Sequence, residues 1–183
     1  MRAFDVATSV VILLVAWPIM LAAALLVKLT SRGPVIYRQE RVGRDFQIFV
    51  LYKLRTMRDG AERDTGPIWA SARDSRITSV GRILRKARID ELPQLFNVLR
   101  GDMSLVGPRP ERPHFVSRYE TLQGARLAVK PGITGLAQIH GNYDLRPERK
   151  VRYDILYIRR RSLLLNIYVL LQTIPVVFMG RGR

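Results

Sequence analysis

From Val6 to Val27 the chain carries no charged side chain, and only Thr8 and Ser9 interrupt its apolar character. A bilayer hydrocarbon core takes roughly 20 such residues as a helix, so the segment is long enough to cross one. A cleaved signal peptide fits poorly, because the stretch outruns the usual apolar region and no clean A-x-A site precedes a polar start. A transmembrane anchor and a re-entrant hairpin that dips into one leaflet both fit. Pro18, preceded by Trp17, sits near the middle. Its missing N–H and its clash with the carbonyl four residues back kink a helix, although spanning helices tolerate proline too. Arg2 is countered by Asp5, whereas Lys28, Arg32, Arg38, Arg41 and Arg44 crowd the other end. That bias keeps the C-terminal side cytoplasmic in either topology. The residues alone leave the two topologies open.

Charge narrows the partners. Lys and Arg number 31 against 15 Asp and Glu, a formal net charge of +16. Disorder does not explain the excess, because apolar periodic segments run through most of the chain. It points to a polyanion: nucleic acid, an anionic membrane surface or phosphorylated substrates. No nucleic-acid fold motif is recognisable, and a nucleic-acid reading leaves the apolar N-terminus unexplained. There is no cysteine, which excludes disulfides and thiolate chemistry. The two histidines, His114 and His140, read as surface or hydrogen-bonded loop residues.

The middle of the chain reads as an α/β, mostly helical domain. Pro34–Gln39 and Phe46–Tyr52 are rich in β-branched and aromatic residues, with turn composition in Val42–Asp45, so they predict a β-hairpin. Arg58 to Thr78 is polar and reads as a mobile loop. Thr78 or Ser79 caps a basic helix running through Arg88, and Pro93 to Leu99 forms a second short helix ended by Gly101. Later, Arg159-Arg160-Arg161 leads into the apolar run from Ser162 to Met179. A basic cluster beside such a run suits an amphipathic helix at an anionic interface; a buried core helix fits its periodicity equally well.

The chemistry lies between Ile89 and Pro110. Asp90 and Glu91 are adjacent carboxylates at the start of a helix, where the dipole favours anions. Basic residues flank them: Arg82, Arg85, Lys86 and Arg88 before, Arg109 and Arg112 after. Acids ringed by cations can bind a magnesium diphosphate. One carboxylate can attack phosphorus while its neighbour holds the metal, and arginines fork onto phosphate oxygens.

These motifs resemble a known family. Asp90-Glu91-Leu92-Pro93-Gln94, Gly101-Asp102-Met103-Ser104 and Gly107-Pro108-Arg109-Pro110 are similar to the signature of the bacterial sugar transferases, the monotopic polyprenyl-phosphate phosphoglycosyl transferases. Gln39–Gly43, Tyr52–Met57 and Lys130–Gly135 match it in the expected order. The resemblance covers essentially the whole chain, at the size of a minimal catalytic core. It implies a re-entrant membrane helix over residues 1–30, broken at Pro18, and a catalytic domain over 31–183 resting on the membrane interface. The expected location is the bacterial inner membrane, with the active site facing the cytoplasm.

The resemblance further implies that Asp90 attacks the sugar-bearing phosphorus of a nucleoside diphosphate sugar, with uridine the expected base. Nucleoside monophosphate leaves, and the phospho-sugar passes from Asp90 to polyprenyl phosphate, which initiates glycoconjugate synthesis. Glu91 is the implied Mg²⁺ ligand and Arg109 a phosphate clamp. Lys53, Arg85, Arg112 and Gln94 are further substrate-binding candidates. Anionic lipids are expected partners, nucleic acid is not, and a homo-oligomer is left open. Two positions depart from the family. Trp17 stands where serine often precedes the break proline. Arg88 stands where serine or threonine often lies two residues before the catalytic aspartate.

Overall fold

The computed structural model describes residues 1–63, 66–68, 74–141 and 147–178. Helix α1 (Arg2–Thr30) has 29 residues, about 44 Å at 1.5 Å per residue. Helical backbone continues through Pro18, so the proline does not divide α1 into two helices. Proline's fixed φ is compatible with a helix, and a bilayer segment tolerates the one lost hydrogen bond.

The buried residues of α1 are Asp5, Ser9, Ala16, Ala23 and Val27, four or seven residues apart and therefore on one stripe. Much of the remaining surface is apolar and bare: Leu14 is 69 %, Val15 72 % and Leu29 73 % exposed. Helix α1 is thus built inside out. Its most deeply buried side chains are mainly polar or small, Phe4, Ile12 and Leu13 pack partly against the core, and most of its other large apolar side chains face outward.

Contacts run along the whole length of that stripe. Near the N-terminus, the Arg2 guanidinium donates to the carbonyls of Val98 and Leu99, capping the end of α3 (Gln94–Arg100). Asp5 accepts from the Ser104 hydroxyl at 2.8 Å and from Leu105 N at 3.3 Å, both in β3 (Ser104–Val106). Near the C-terminus, Ala23 and Val27 pack with Leu54 and Leu84. Both ends of the helix therefore rest on the same folded body.

The expected hairpin forms. Strands β1 (Ile36–Val42) and β2 (Ile48–Leu54) pair antiparallel, with Val42 opposite Ile48 and Ile36 opposite Leu54. Helix α2 (Ser79–Lys86) starts at Thr78, whose Oγ1 accepts from Gly81 N at 2.9 Å. It stops at Lys86, two residues earlier than expected, because Arg88 turns into the left-handed region at φ 54. Gly81 lets α2 press onto the end of β2; a Cβ there would lie 2.1 Å from the Thr56 carbonyl oxygen. Helix α3 ends at Gly101, φ 97, as expected for a glycine C-cap. In the expected loop, Met57 bridges to Ile77; residues 64–65 and 69–73 lie outside the described residues.

A second sheet was not legible in the sequence. Strand β3 pairs in parallel with β4 (Gly132–Thr134), joining two distant motifs. Gly107 N donates to the Thr134 carbonyl at 2.9 Å, and Gly132 N to the Pro108 carbonyl at 2.9 Å. The backbones approach so closely that a Cβ on Gly132 would lie 2.0 Å from Gly107 N. Short helices α4 (Pro113–Arg118) and α5 (Leu136–His140) follow β3 and β4 respectively. His140 hydrogen-bonds the Leu136 carbonyl and stacks on Tyr153, while His114 is exposed.

Helices α6 (Pro147–Arg160) and α7 (Leu163–Phe178) close the domain. Tyr157, on α6, lies within hydrogen-bond distance of the Val106 carbonyl and of Asn166 on α7. Both readings of the C-terminal run apply to α7. Val169 and Asn166 are buried against the core, while Leu164, Leu171 and Ile174 are exposed at 79 %, 60 % and 52 %.

Candidate active site at the Asp90–Glu91 turn

Asp90 and Glu91 occupy a single 3-10 turn (Ile89–Glu91) between α2 and α3. Packing of this turn against α1, α2 and β2 buries both carboxylates. Buried charges persist when they are paired, and Glu91 is paired three times. Its Oε1 lies 3.1 Å from Lys53 Nζ and 2.7 Å from Arg109 Nη2; its Oε2 lies 3.2 Å from Arg88 Nη1. Burial opposes the charge, but Arg109, Lys53 and Arg88 outweigh it and hold the Glu91 carboxyl well below the usual range.

Asp90, its chain neighbour, goes the other way. Burial pushes its carboxyl up to about 6, Glu91 adds to the rise, and Lys53, Arg85 and Arg109 oppose it. Two adjacent carboxylates therefore differ in kind. Glu91 is a fixed anion, and Asp90 is a desolvated carboxylate that is poorly compensated.

Each cation arrives by a different route. Lys53 is on β2, opposite Tyr37 in the hairpin. Arg109 follows β3, where the close Gly107–Gly132 contact fixes the chain, and its carbonyl accepts from Arg126 Nη2 at 2.9 Å. Arg126 is in turn locked to Asp154 at 3.0 Å, with both side chains almost wholly buried. Burial pushes Asp154 up to about 6 against the pull of Arg126. Arg109, Arg126 and Asp154, with Glu111, Ala137, Gln138 and Lys150, line a small cavity.

The remaining candidates are distributed unevenly. Arg85 bends away to donate to Thr56 Oγ1 at 2.8 Å, yet its charge still acts on Asp90. Gln94 is buried on α3 one turn beyond Glu91, and its Nε2 has no hydrogen-bond partner among the described residues. Arg112 is not brought to the carboxylates. It forks onto Glu62 at 2.8 and 2.9 Å, because it starts α4 and faces the loop after β2. Pro18 lies within α1, away from this constellation. Sequence reasoning counted Arg88 among the cations flanking the carboxylates without pairing it to Glu91, and gave Arg126 and Asp154 no role. Arg88 had one visible signal, its place where the family often carries a small hydroxyl residue. The buried pair had none, since 28 residues separate its members.

A buried aspartate thus stands beside a glutamate on which Lys53, Arg88 and Arg109 converge. The chain belongs to the bacterial sugar transferase family, whose model matches residues 1–180. It is 42 % identical to the UDP-N-acetylgalactosamine-undecaprenyl-phosphate N-acetylgalactosaminephosphotransferase of Aeromonas hydrophila, over 99 % of this chain and 44 % of that protein. Identity is 44 % to the UDP-glucose:undecaprenyl-phosphate glucose-1-phosphate transferase of Xanthomonas campestris pv. campestris, over 92 % of this chain and 37 % of the relative. It is 36 % to the exopolysaccharide production protein ExoY of Sinorhizobium fredii, over 99 % of this chain and 86 % of that protein. The chain spans less than half the length of the first two.

Proposed function

We propose that the chain transfers a sugar-1-phosphate from a nucleoside diphosphate sugar, with uridine as the base, to undecaprenyl phosphate, through an intermediate on Asp90. The observation that carries this reading is the contrast between Asp90 and Glu91. A desolvated, under-compensated carboxylate is a better nucleophile than a fully paired one, and cations stand ready for the phosphate oxygens.

In the first step an Asp90 oxygen attacks the sugar-bearing phosphorus, and the bond to the nucleoside monophosphate breaks. Lys53 and Arg109 hold the phosphate oxygens, and Arg85 contributes positive charge at Asp90. In the second step an oxygen of the lipid phosphate attacks the same phosphorus and returns Asp90 as a carboxylate. No net proton is required in either displacement.

Magnesium belongs to this reading: such an ion takes one or two protein carboxylates and fills its sphere with water and phosphate oxygens. Glu91, whose two oxygens lie against Lys53, Arg88 and Arg109, would exchange part of that contact for it. Glu91 would hold it, assisted by Asp90. When bound there, such an ion would supply charge neutralisation for the diphosphate.

Topology belongs to the same proposal. A helix that crossed the bilayer would part its two ends to opposite faces. Arg2 and Asp5 at one end of α1 and Val27 at the other contact one domain, which supports a monotopic, re-entrant placement with both ends cytoplasmic. Kinking at Pro18 is part of this reading. Cysteines introduced at Ala3 and Arg32 of this cysteine-free chain should both react with an impermeant reagent from the cytoplasmic side. Labelling from opposite sides would sink the topology.

The reaction is tested by nucleoside monophosphate release from a panel of UDP-sugars, with Mg²⁺ and undecaprenyl phosphate. Release with one donor, absent without Mg²⁺ and absent in Asp90→Asn, is expected. An active Asp90→Asn enzyme would overturn the covalent intermediate, and no turnover with any donor would favour a non-catalytic membrane scaffold.

A further inference from the structure

Arg109 stands in a segment that is held from outside. Pro108 and Pro110 flank it and carry no N–H, so the chain there is anchored through its carbonyls. Four consecutive carbonyls each accept a bond from another element. Gly132 N donates to Pro108 at 2.9 Å, Arg126 Nη2 to Arg109 at 2.9 Å, Arg41 Nη1 to Pro110 at 3.0 Å and Val42 N to Glu111 at 2.9 Å. Gly132 belongs to β4, and Arg41 and Val42 to β1, so strand pairing keeps those three donors in place. Arg126 has no such support. It lies on a 3-10 turn (Gly124–Leu127), and its buried side chain spans the distance to the Arg109 carbonyl.

Asp154 steers Arg126. Both residues are 3 % exposed. Asp154 Oδ2 accepts from Nε at 3.1 Å and lies 3.0 Å from Nη2, the same nitrogen that serves the Arg109 carbonyl. A buried guanidinium without a counter-charge is costly, so the acid fixes where the arginine can lie. Asp154 has no part in the chemistry proposed above, and a buried ion pair is by itself weak evidence of a stabilising role. Its place on α6 gives it another use. Tyr157, three residues on and on the same helix face, donates to the Val106 carbonyl at 2.9 Å. Helix α6 thus grips the chain on both sides of Gly107, at Val106 directly and at Arg109 through Arg126. The small cavity lined by Arg109, Arg126, Asp154 and Gln138 leaves space beside the pair, so packing alone does not hold it.

We propose that Arg126 and Asp154 are positioning residues for the transfer reaction. Asp154 orients Arg126, and Arg126 fixes the Arg109 backbone so that the Arg109 guanidinium meets the phosphate oxygens. The arginine side chain is long, so a small rotation of its backbone becomes a displacement on the order of 1 Å at the guanidinium, enough to cost about 10²-fold in rate. The inference rests on the reading above in which Arg109 holds a phosphate.

A double-mutant cycle on the full chain in nanodiscs tests it. Wild type, Asp154→Asn, Arg109→Ala and the double variant are compared in two ways: UDP affinity with Mg²⁺ by calorimetry, and kcat/KM for the donor found active. Asp154→Asn should lower donor kcat/KM by about 10–100-fold, and Arg109→Ala by at least as much. The double variant should lie within about threefold of Arg109→Ala, because the aspartate acts only through that arginine. UDP affinity should show the same lack of additivity. Arg126→Lys, which keeps the charge but loses the fork, should be intermediate. It also takes the place of Asp154→Asn in the cycle if that variant does not fold. Losses that multiply in the double variant, or an Asp154→Asn enzyme as active as wild type, would overturn the positioning role. An Arg109→Ala variant with unchanged UDP affinity and turnover would instead sink the phosphate-holding role of Arg109, and this inference with it.

Discussion

Helix α1 buries Asp5 and Ser9 and leaves Leu14, Val15 and Leu29 bare, whereas the Asp90–Glu91 turn draws two carboxylates inside and surrounds them with cations. Each region reverses the usual rule that apolar groups go in and charges stay out. The reasons differ. For α1 the outer medium is proposed to be lipid, so apolar surface costs nothing outside and polar groups need protein partners. At the turn the medium is protein on nearly every side, and compensation comes from Arg88 at the start of the turn and from Lys53 and Arg109, which fold in from elsewhere. Burial is therefore a statement about surroundings, and the same residue types follow opposite rules in the two places.

The largest expected effect separates function from stability at the turn. Asp90→Asn should lower turnover at least about 10³-fold. It should leave the melting temperature of metal-free protein unchanged or raised, because it removes a carboxylate whose charge is poorly compensated. A large drop in melting temperature would show that Asp90 is held as firmly as Glu91 and erase the contrast. Glu91→Gln should do the reverse on stability. Losing the common partner of Lys53, Arg88 and Arg109 leaves buried cations unpaired, at a cost of about 3 kcal/mol, read by denaturant unfolding. Turnover should fall as well.

Two substitutions sharpen the α1 side. Ala23→Leu forces a larger side chain against Leu54 and Leu84 and should destabilise the protein by about 1–3 kcal/mol. Leu25→Ala, two residues on but on the bare face, should change unfolding by less than about 0.5 kcal/mol. Equal effects would mean that the inside-out stripe is wrong.

The effect confined to a pH window concerns Asp154, a buried carboxylate paired with Arg126 where Glu91 has three cations. Its carboxyl is raised to about 6 from 3.8. For an acid raised in the folded state, the stabilising contribution is complete below about pH 4 and is lost as pH rises through about 6. The stability gap between wild type and Asp154→Asn should shift by up to about 3 kcal/mol across that window. A gap that does not move with pH would show that Arg126 compensates Asp154 fully.

Much of this was readable locally. The Thr78 cap, the Gly101 stop and the existence of the hairpin each follow from a few adjacent residues whose conformational preferences act within one turn. The adjacency of Asp90 and Glu91 was equally plain. Their division of labour was not, because it depends on Lys53 arriving from 38 residues upstream and Arg109 from 18 residues downstream. Arg112 shows the opposite outcome, a cation near the motif in sequence that folding carries off to Glu62. Strands β3 and β4 escaped notice because three residues are too few to display a period of two.

The sequence by itself determined an apolar N-terminal helix, a basic domain and a carboxylate pair set among family motifs, since composition and short-range spacing carry those directly. Tertiary structure alone decided which face of α1 is buried, which cations clamp Glu91, and that Arg126 ties Asp154 to the Arg109 carbonyl. Those outcomes depend on contacts between distant segments. Periodicity within one segment does not encode them, because the energy of a buried charge is set by whatever the rest of the chain brings to it.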